Sequence, residues 1–379
     1  MTRIACFFST SGHSGVDRAA KHLIPALAKR GYCVDLLKVR RHGPELDDVP
    51  DGVRVIDLGS RHTYACIPSI TRYLRRERPE VMLSDKDRVN RSALAARTLA
   101  RVPTRLIFSS GTTISIDLAN RGVLERWVQR NSMRHLYPRA NRVIVTSAGV
   151  ANDMSEYSGL DRDHIQVVAS PVVPESLFEQ DQPLPDHAWF APGEPPVILG
   201  VGELCSRKDF ETLIRAFARL RRTGACRLMI LGRGSQRNQL LGLAQDLGVD
   251  ADFALPGFVS DPYRYMAHAA LVAFTSLWEG LGFVLIEALA VGTPVVSTDC
   301  PSGPSEILQG GRYGPLTPLR DPDALANAIA RTLDEPLAPE LLRQAARPYA
   351  IEASADAYLD AMDLPRAAAE SGTEIGEVS

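Results

Sequence analysis

Long apolar runs are missing from this chain of 379 residues. No apolar stretch approaches the roughly 18 residues that a membrane-spanning helix needs, so we expect no transmembrane segment. The apolar part of residues 1–10 is too short for a signal peptide, and we interpret it as a first strand. The sequence therefore predicts a cytoplasmic protein.

Cysteine is scarce as well. The six cysteines are scattered, at positions 6, 33, 66, 205, 226 and 300. None belongs to a Cys-x-x-Cys pair, so the pattern predicts reduced thiols and no metal site. The chain also lacks a recognised nucleic-acid-binding motif, and we expect no nucleic-acid partner.

The composition is that of a folded protein, with 45% hydrophobic and 23% charged residues. Short apolar runs alternate with helical patterns, which is typical of parallel sheets covered on both faces. We predict a first α/β domain over 1–180, a proline-rich linker over 181–195 and a second α/β domain over 196–345. A last helix is expected within 346–366, and 367–379 has the composition of a disordered tail.

Charge divides unevenly along the chain, although the net charge is only −2. Residues 1–150 hold 26 Lys and Arg against 13 Asp and Glu, whereas the remainder holds 17 against 32. Such asymmetry predicts that the first domain faces something anionic, such as the inner surface of a membrane.

One predicted helix carries part of this positive charge. Arg126, Arg130 and Arg134 recur every four positions, opposite Leu124 and Trp127. This amphipathic basic pattern suits a helix on an anionic membrane surface. An ordinary solvated face above an apolar core explains it equally well, so both interpretations stay open.

Residues 275–308 carry the most informative pattern. Glu279 and Glu287 stand eight positions apart, just over two helical turns, on either side of a glycine turn that leads into a helix near Phe283. Taken alone, two such acids are more often surface residues. Together with the free amides of a helix start, they suit a ligand rich in hydroxyls and phosphates.

Four ordered blocks favour the ligand site over the surface interpretation of the two acids, because they resemble the retaining glycosyltransferases of group 1 (family 4). The blocks read GVGELCSRKDFETLIRAF, LMILGRGSQRNQLLGLAQDLGV, LPGFVSDPYRYMAHA and EGLGFVLIEALAVGTPVV. The resemblance implies the GT-B fold, in which two Rossmann-like domains with parallel sheets face a central cleft. It also implies a nucleotide-sugar donor, no cofactor, no metal and a last helix that returns to the first domain.

The resemblance also assigns roles to residues of this chain. Lys208 would bind the donor phosphates, Glu279 would contact the sugar hydroxyls and Glu287 would accept hydrogen bonds from the ribose. With Arg207, Lys208 and Glu279 form the predicted catalytic group. The other predicted donor-binding residues are Gly15, Gly202, Arg233, Gly257, Phe258, Val259, Gly282, Phe283 and Val284.

Two departures from the family pattern affect the chemistry. Relatives usually carry a phosphate-binding arginine where this chain has Glu203, which would repel phosphate. Arg207 or Arg233 would then supply the missing cation, or Glu203 would pair with Arg207 or Lys208 in the empty site. The histidine that many relatives carry near the sugar is also missing from 105–117, so we name no catalytic base.

The sequence thus predicts a retaining, metal-independent glycosyltransferase that favours a UDP-sugar. The segment 299–308 resembles members that build bacterial surface polysaccharides, which implies a glycan or lipid-linked acceptor. Alternatives are a nucleotide-sugar epimerase of the same fold and an inactive binding protein. A nicotinamide-dependent dehydrogenase is disfavoured, because GVGELC lacks the third glycine of the dinucleotide fingerprint.

Overall fold

The computed structural model describes residues 2–10, 15–119 and 121–366, which form two α/β domains. The predicted tail at 367–379 lies outside the described residues, as do residues 11–14, which precede Gly15.

The first domain is built on seven parallel strands in the order β3-β2-β1-β4-β5-β6-β7. The three inner strands β1, β4 and β5 are almost completely buried, which explains their nearly continuous apolar sequences. The strands are β1 (Arg3–Phe8), β2 (Cys33–Lys38), β3 (Val53–Asp57), β4 (Val81–Asp85), β5 (Arg105–Ser110), β6 (Arg142–Val145) and β7 (Ile165–Val167).

Helices cover both faces of this sheet. The first helix ends just before Gly31, whose φ of +83° suits a residue without a side chain. The helices are α1 (Gly15–Lys29), α2 (Ile67–Glu77), α3 (Asp87–Ala100), α4 (Ile114–Asp117), α5 (Val123–Leu136) and α6 (Ala148–Ser158), and α7 (Ser176–Glu179) follows before the second domain.

The second domain is built on six parallel strands in the order β10-β9-β8-β11-β12-β13. The last of these strands is only two residues long, and its sequence gave no strand signal. The strands are β8 (Val197–Val201), β9 (Arg227–Leu231), β10 (Phe253–Gly257), β11 (Leu271–Phe274), β12 (Val295–Thr298) and β13 (Leu316–Thr317).

Its helices include one that the sequence pattern did not predict, α14, which begins in a proline-bearing stretch. The helices are α8 (Phe210–Leu220), α9 (Arg237–Asp246), α10 (Tyr263–His268), α11 (Phe283–Ala290), α12 (Pro304–Ile307), α13 (Pro322–Asp334), α14 (Pro339–Ala346) and α15 (Ile351–Ala361). Single 3-10 turns occur at Tyr64–Cys66, Tyr137–Arg139, Arg162–His164, Ala188–Phe190, Ser206–Lys208, Asp250–Asp252, Gln309–Gly311 and Arg347–Tyr349.

The chain passes between the domains twice, at adjacent places. Backbone hydrogen bonds join Val172 to Tyr349 and Ile351 to Val173, so the two crossing segments lie side by side. Beyond the second crossing, α15 buries Tyr358 and Leu359 in the core of the first domain. The exact domain boundaries stay predictions, whereas the predicted fold of two parallel-sheet domains is confirmed.

Candidate active site

A cavity of about 960 Å³ opens between the two domains. It lies where the strands of both sheets end at their carboxyl termini, which is the place where open α/β sheets bind ligands. All but one of the predicted site residues line it: Gly15, Gly202, Arg207, Lys208, Arg233, Phe258, Val259, Glu279, Gly282, Phe283, Val284 and Glu287. The exception is Gly257, at the end of β10, whose carbonyl accepts a hydrogen bond from the Gly232 amide instead.

Glu279 lies at the centre of one cluster of charges. Its Oε1 atom accepts from Lys208 Nζ at 2.7 Å and from Ser276 Oγ at 2.8 Å, and it lies 2.5 Å from an Arg207 Nη atom. The 3-10 turn after β8 places Arg207 and Lys208 side by side at the start of α8, as the sequence predicted for Lys208. The ammonium nitrogen of Lys208 also lies over the Phe274 ring, 4.8 Å from its centroid.

The two cations decide the ionisation of this carboxylate. Burial raises the pKa of Glu279, but the charges of Lys208 and Arg207 outweigh burial and hold the pKa below its ordinary value. Glu279 is therefore ionised at neutral pH. The cluster holds two positive charges against one negative charge, so it retains a net attraction for phosphate.

Glu287 forms a second ion pair, and its partner comes from the other domain. Glu287 is buried on α11, and Arg18 on α1 reaches across the cleft to bond its Oε1 atom. The Tyr263 hydroxyl lies within 3.4 Å of the same oxygen and 3.3 Å from the guanidinium. Burial raises the pKa of Glu287, and Arg18 offsets part of that effect.

The start of α11 supplies free backbone amides beside these carboxylates. Gly282 precedes the helix with a φ of +103°, a conformation that favours glycine, and it turns the chain sharply into Phe283. Gly15, a predicted donor-binding residue, lies close to this helix start, since a Cβ atom on it would lie 3.7 Å from the Phe283 ring. In the same domain, the Arg233 guanidinium stacks over the exposed Phe258 ring, 5.3 Å from its centroid.

The expected pairing of Glu203 with Arg207 or Lys208 is wrong. Both cations pair with Glu279, and Glu203 has no ion-pair partner among the residues that the structure describes. The reason is the difference in burial. Glu203 is exposed at the cleft wall, whereas Glu279 is largely shielded from water, so an ion pair stabilises Glu279 more.

Sequence reasoning did not single out Arg18 or Asp85, although both line the cleft. Asp85 ends β4 and is buried, and within the described part of the chain its Oδ2 atom has no hydrogen-bond partner. Burial raises the pKa of Asp85 to about 6, partly offset by the charge of Lys86 and a hydrogen bond with Ser109. A polar residue at the carboxyl end of an inner strand was the available signal.

Contacts between the domains hold the cleft closed on one side. The Thr113 and Ser147 hydroxyls donate to the backbone carbonyls of Glu279 and Gly280, at 2.8 and 2.9 Å. The Glu306 carboxylate accepts from two amides at the start of α6, at 2.7 and 2.8 Å. An acid at a helix N-terminus interacts favourably with the helix dipole, so this contact favours the closed arrangement.

The basic helix α5 departs from the pattern of a helix above a core. Leu124 is 73% exposed and Trp127 is 62% exposed, so neither side chain faces an apolar core in this structure. Arg126, Arg130 and Arg134 are exposed beside them. Across residues 2–10, 15–119 and 121–366, no helix is both long and apolar enough to cross a membrane.

Comparison with known proteins agrees with this architecture. The family model described as glycosyl transferases group 1 matches residues 185–351, and the glycosyl transferase 4-like domain matches residues 14–171. The solved structure of Anabaena HepE in complex with UDP covers 96% of this chain and all of its own, with a TM-score of 0.76 and 17% identity. The chain has the GT-B fold.

Two characterised relatives show where the similarity extends. The N-acetylgalactosamine-N,N'-diacetylbacillosaminyl-diphospho-undecaprenol 4-alpha-N-acetylgalactosaminyltransferase of Campylobacter jejuni is 30% identical over 252 residues, 66% of each chain. The lipopolysaccharide core biosynthesis glycosyltransferase LpsE of Rhizobium meliloti is 27% identical over 361 residues, 91% of this chain and 94% of its own. This chain belongs to the group 1 glycosyltransferases, and it is a transferase enzyme.

Proposed function

We propose that this glycosyltransferase moves a sugar from a UDP-sugar to a lipid-linked glycan in bacterial surface polysaccharide synthesis, with retention of anomeric configuration. The observation that carries the proposal is the convergence of Glu279, Lys208 and Arg207 at the start of α11, on the wall of a cleft between two parallel sheets. Of the two relatives above, one is named for a diphospho-undecaprenol substrate and the other for lipopolysaccharide core biosynthesis.

In the proposed reaction, the bond between the anomeric carbon and the β-phosphate oxygen breaks while the acceptor oxygen bonds that carbon on the same face. The acceptor proton passes to the departing phosphate oxygen, so no protein base is required. Negative charge grows on the phosphate as the bond breaks. Lys208, Arg207 and the amides that begin α11 would stabilise it there, which lowers the barrier without requiring a metal ion.

The two glutamates would hold the rest of the donor. Glu279 would accept hydrogen bonds from sugar hydroxyls, and Glu287 from the ribose hydroxyls, because an ionised carboxylate accepts from two donors at once. The uracil ring would lie near Phe258 and Val259. In this assignment both acids bind and position substrate, while the cations act on the reacting phosphate.

The acceptor side of the proposal is supported by α5. Its exposed Leu124 and Trp127, flanked by arginines, resemble the apolar and charged faces of an interfacial helix. Each basic side chain near an anionic membrane surface contributes about 1 kcal/mol, so a few suffice for reversible association. Such docking would bring the cleft to a lipid-linked acceptor.

A thermal-shift panel with UDP, GDP, ADP and dTDP tests the donor assignment. A ligand present at a hundred times its dissociation constant adds about 2.7 kcal/mol to stability. We expect UDP to raise the melting temperature most. Product analysis with a UDP-sugar panel and undecaprenyl-diphosphate glycans then tests transfer and the anomeric outcome.

Other results would contradict this assignment. Conversion of the donor to an epimer without acceptor would favour the epimerase alternative. Nucleotide binding without turnover on any acceptor would favour an inactive binding protein.

A further inference from the structure

The ribose-binding carboxylate proposed above is already occupied by a residue of the opposite domain. Arg18 bonds Glu287 across the cleft, although the two residues are 269 positions apart in the chain. A ribose that bonds Glu287 must therefore displace Arg18. The displaced guanidinium would keep its positive charge, because arginine is effectively always protonated.

The surroundings of Arg18 indicate where its charge would go. The guanidinium also lies over the Phe283 ring, 5.7 Å from its centroid, and Phe283 is the first residue of α11. Phe283 and Glu287 are four positions apart, which is about 6 Å along a helix. Arg18 therefore spans the first turn of α11, within one turn of the free amides where the diphosphate would bind.

The chain also has a need for such a cation. Glu203, at the position where the resemblance implies a phosphate-binding arginine, is exposed on the wall of the same cleft. Arg207 shares its charge with Glu279, and Arg233 stacks on Phe258, so a further cation beside the diphosphate would compensate for Glu203.

We infer that Arg18 exchanges partners during donor binding: it pairs with Glu287 in the empty enzyme and with the donor diphosphate when the ribose takes its place. The exchange makes Arg18 a competitor of the nucleoside and a ligand of the diphosphate. It also couples donor binding to the contact between the domains. This inference rests on the proposed function, because it assumes a nucleoside diphosphate donor.

The inference predicts that removing Arg18 weakens the binding of UDP but does not weaken the binding of uridine. Arg18→Gln should weaken binding of UDP at least 10-fold, because a charge-assisted contact with phosphate is lost. The same change should leave uridine binding unchanged or tighter, because the competitor for Glu287 is gone. Both affinities are measured by calorimetry under the same conditions for wild type and variant.

A purely structural role gives a different result. If Arg18→Gln weakens uridine and UDP by the same factor, or changes neither, the inference is wrong. Uridine binding at wild-type strength also shows that the variant retains its nucleoside site. Arg61→Gln, on the exposed surface of the first domain, is the matched control and should leave both affinities unchanged.

A second substitution tests whether Arg18 supplies the positive charge that is missing at Glu203. Adding Glu203→Arg to Arg18→Gln should restore at least part of the lost UDP affinity without changing uridine affinity. No recovery would overturn the claim that Arg18 supplies that charge. If wild type binds no nucleoside diphosphate in the panel, the proposed function fails; if wild type binds UDP and Arg18→Gln binds it equally, only this inference fails.

Discussion

Gly280 packs directly against the backbone of Gly111 across the cleft: a Cβ atom on Gly280 would lie 1.9 Å from the Gly111 carbonyl oxygen. No L-residue fits there, since real Cβ contacts are essentially never shorter than 3.0 Å. This approach joins the loop after β5 to the glycine turn before α11. The glycines of the motif thus serve domain closure as well as the turn itself.

Gly280→Ala should therefore block closure while leaving each domain folded. We expect kcat/KM to fall by about 10-fold or more, because small misplacements of catalytic groups cost roughly 100-fold. The melting temperature should change little. Gly242 lies within α9, and a Cβ atom on it would meet no atom beyond its own helix backbone within 4 Å. Gly242→Ala is therefore the control and should leave activity unchanged. Full activity of Gly280→Ala would show that catalysis does not need this closed arrangement.

Glu287→Gln should weaken nucleotide binding by about 1–3 kcal/mol, because a charged acceptor for two hydroxyls becomes a neutral amide. Calorimetry with UDP measures the loss. Glu335→Gln, an exposed change away from the cleft, is the control. Unchanged affinity would remove Glu287 from the proposed ribose site.

Lys208→Ala should reduce turnover more than donor affinity. Charge on the departing phosphate peaks in the transition state, and removal of one stabilising group there costs on the order of 100-fold or more in kcat. Steady-state kinetics with varied donor separates kcat from KM. Lys29→Ala on the exposed end of α1 serves as the control. Equal losses in affinity and rate would instead indicate simple ground-state attraction.

Asp85→Asn should change how stability depends on pH. Burial raises the pKa of Asp85 to about 6, so its neutral form stabilises the fold at low pH, and this contribution is lost as pH rises through 6. Asparagine stays neutral. The variant should match wild type at pH 4 and exceed it at pH 7.5, by on the order of 1–3 kcal/mol.

Urea unfolding between pH 4 and 8 measures this difference. Asp117→Asn is the matched control, because Asp117 lines the same cleft but is exposed. A difference in stability between Asp85→Asn and wild type that does not depend on pH would show that the pKa of Asp85 is not raised by burial.

The exposed helix α5 should bind anionic vesicles at low salt. Replacing Arg126, Arg130 and Arg134 with glutamine should release the protein in a sedimentation assay, because the electrostatic attraction is removed. Trp127→Ser should weaken binding through lost burial of its ring. Salt should also weaken it, as the Debye length falls from about 10 Å at 0.1 M to about 3 Å at 1 M.

Activity on a small soluble acceptor should survive these changes, which separates membrane docking from catalysis. Replacing Arg215 and Arg222, exposed arginines of the second domain, is the control and should leave vesicle binding intact. Wild type that ignores anionic lipid at low salt would show that α5 serves another purpose.

Local pattern was enough to predict the two sheets. Apolar runs with flanking turn residues marked every strand except β13, which is too short to carry a pattern. The motif of Glu279 and Glu287 was likewise readable, because spacing within one loop and one helix fixes their neighbourhood. The exposure of Leu124 and Trp127 was not readable, since the periodicity of a helix does not show whether anything covers its apolar face.

The sequence by itself determined two parallel-sheet α/β domains, because their strands and helices follow from periodicity. Its resemblance to the group 1 glycosyltransferases implied the GT-B fold and the site residues Lys208, Glu279 and Glu287. Only the tertiary structure decided which cation neutralises which acid. Arg207 and Lys208 share Glu279, whereas Arg18 reaches Glu287 from the other domain. Such pairings depend on how two separately folded domains face each other, and no spacing along the chain encodes that distance.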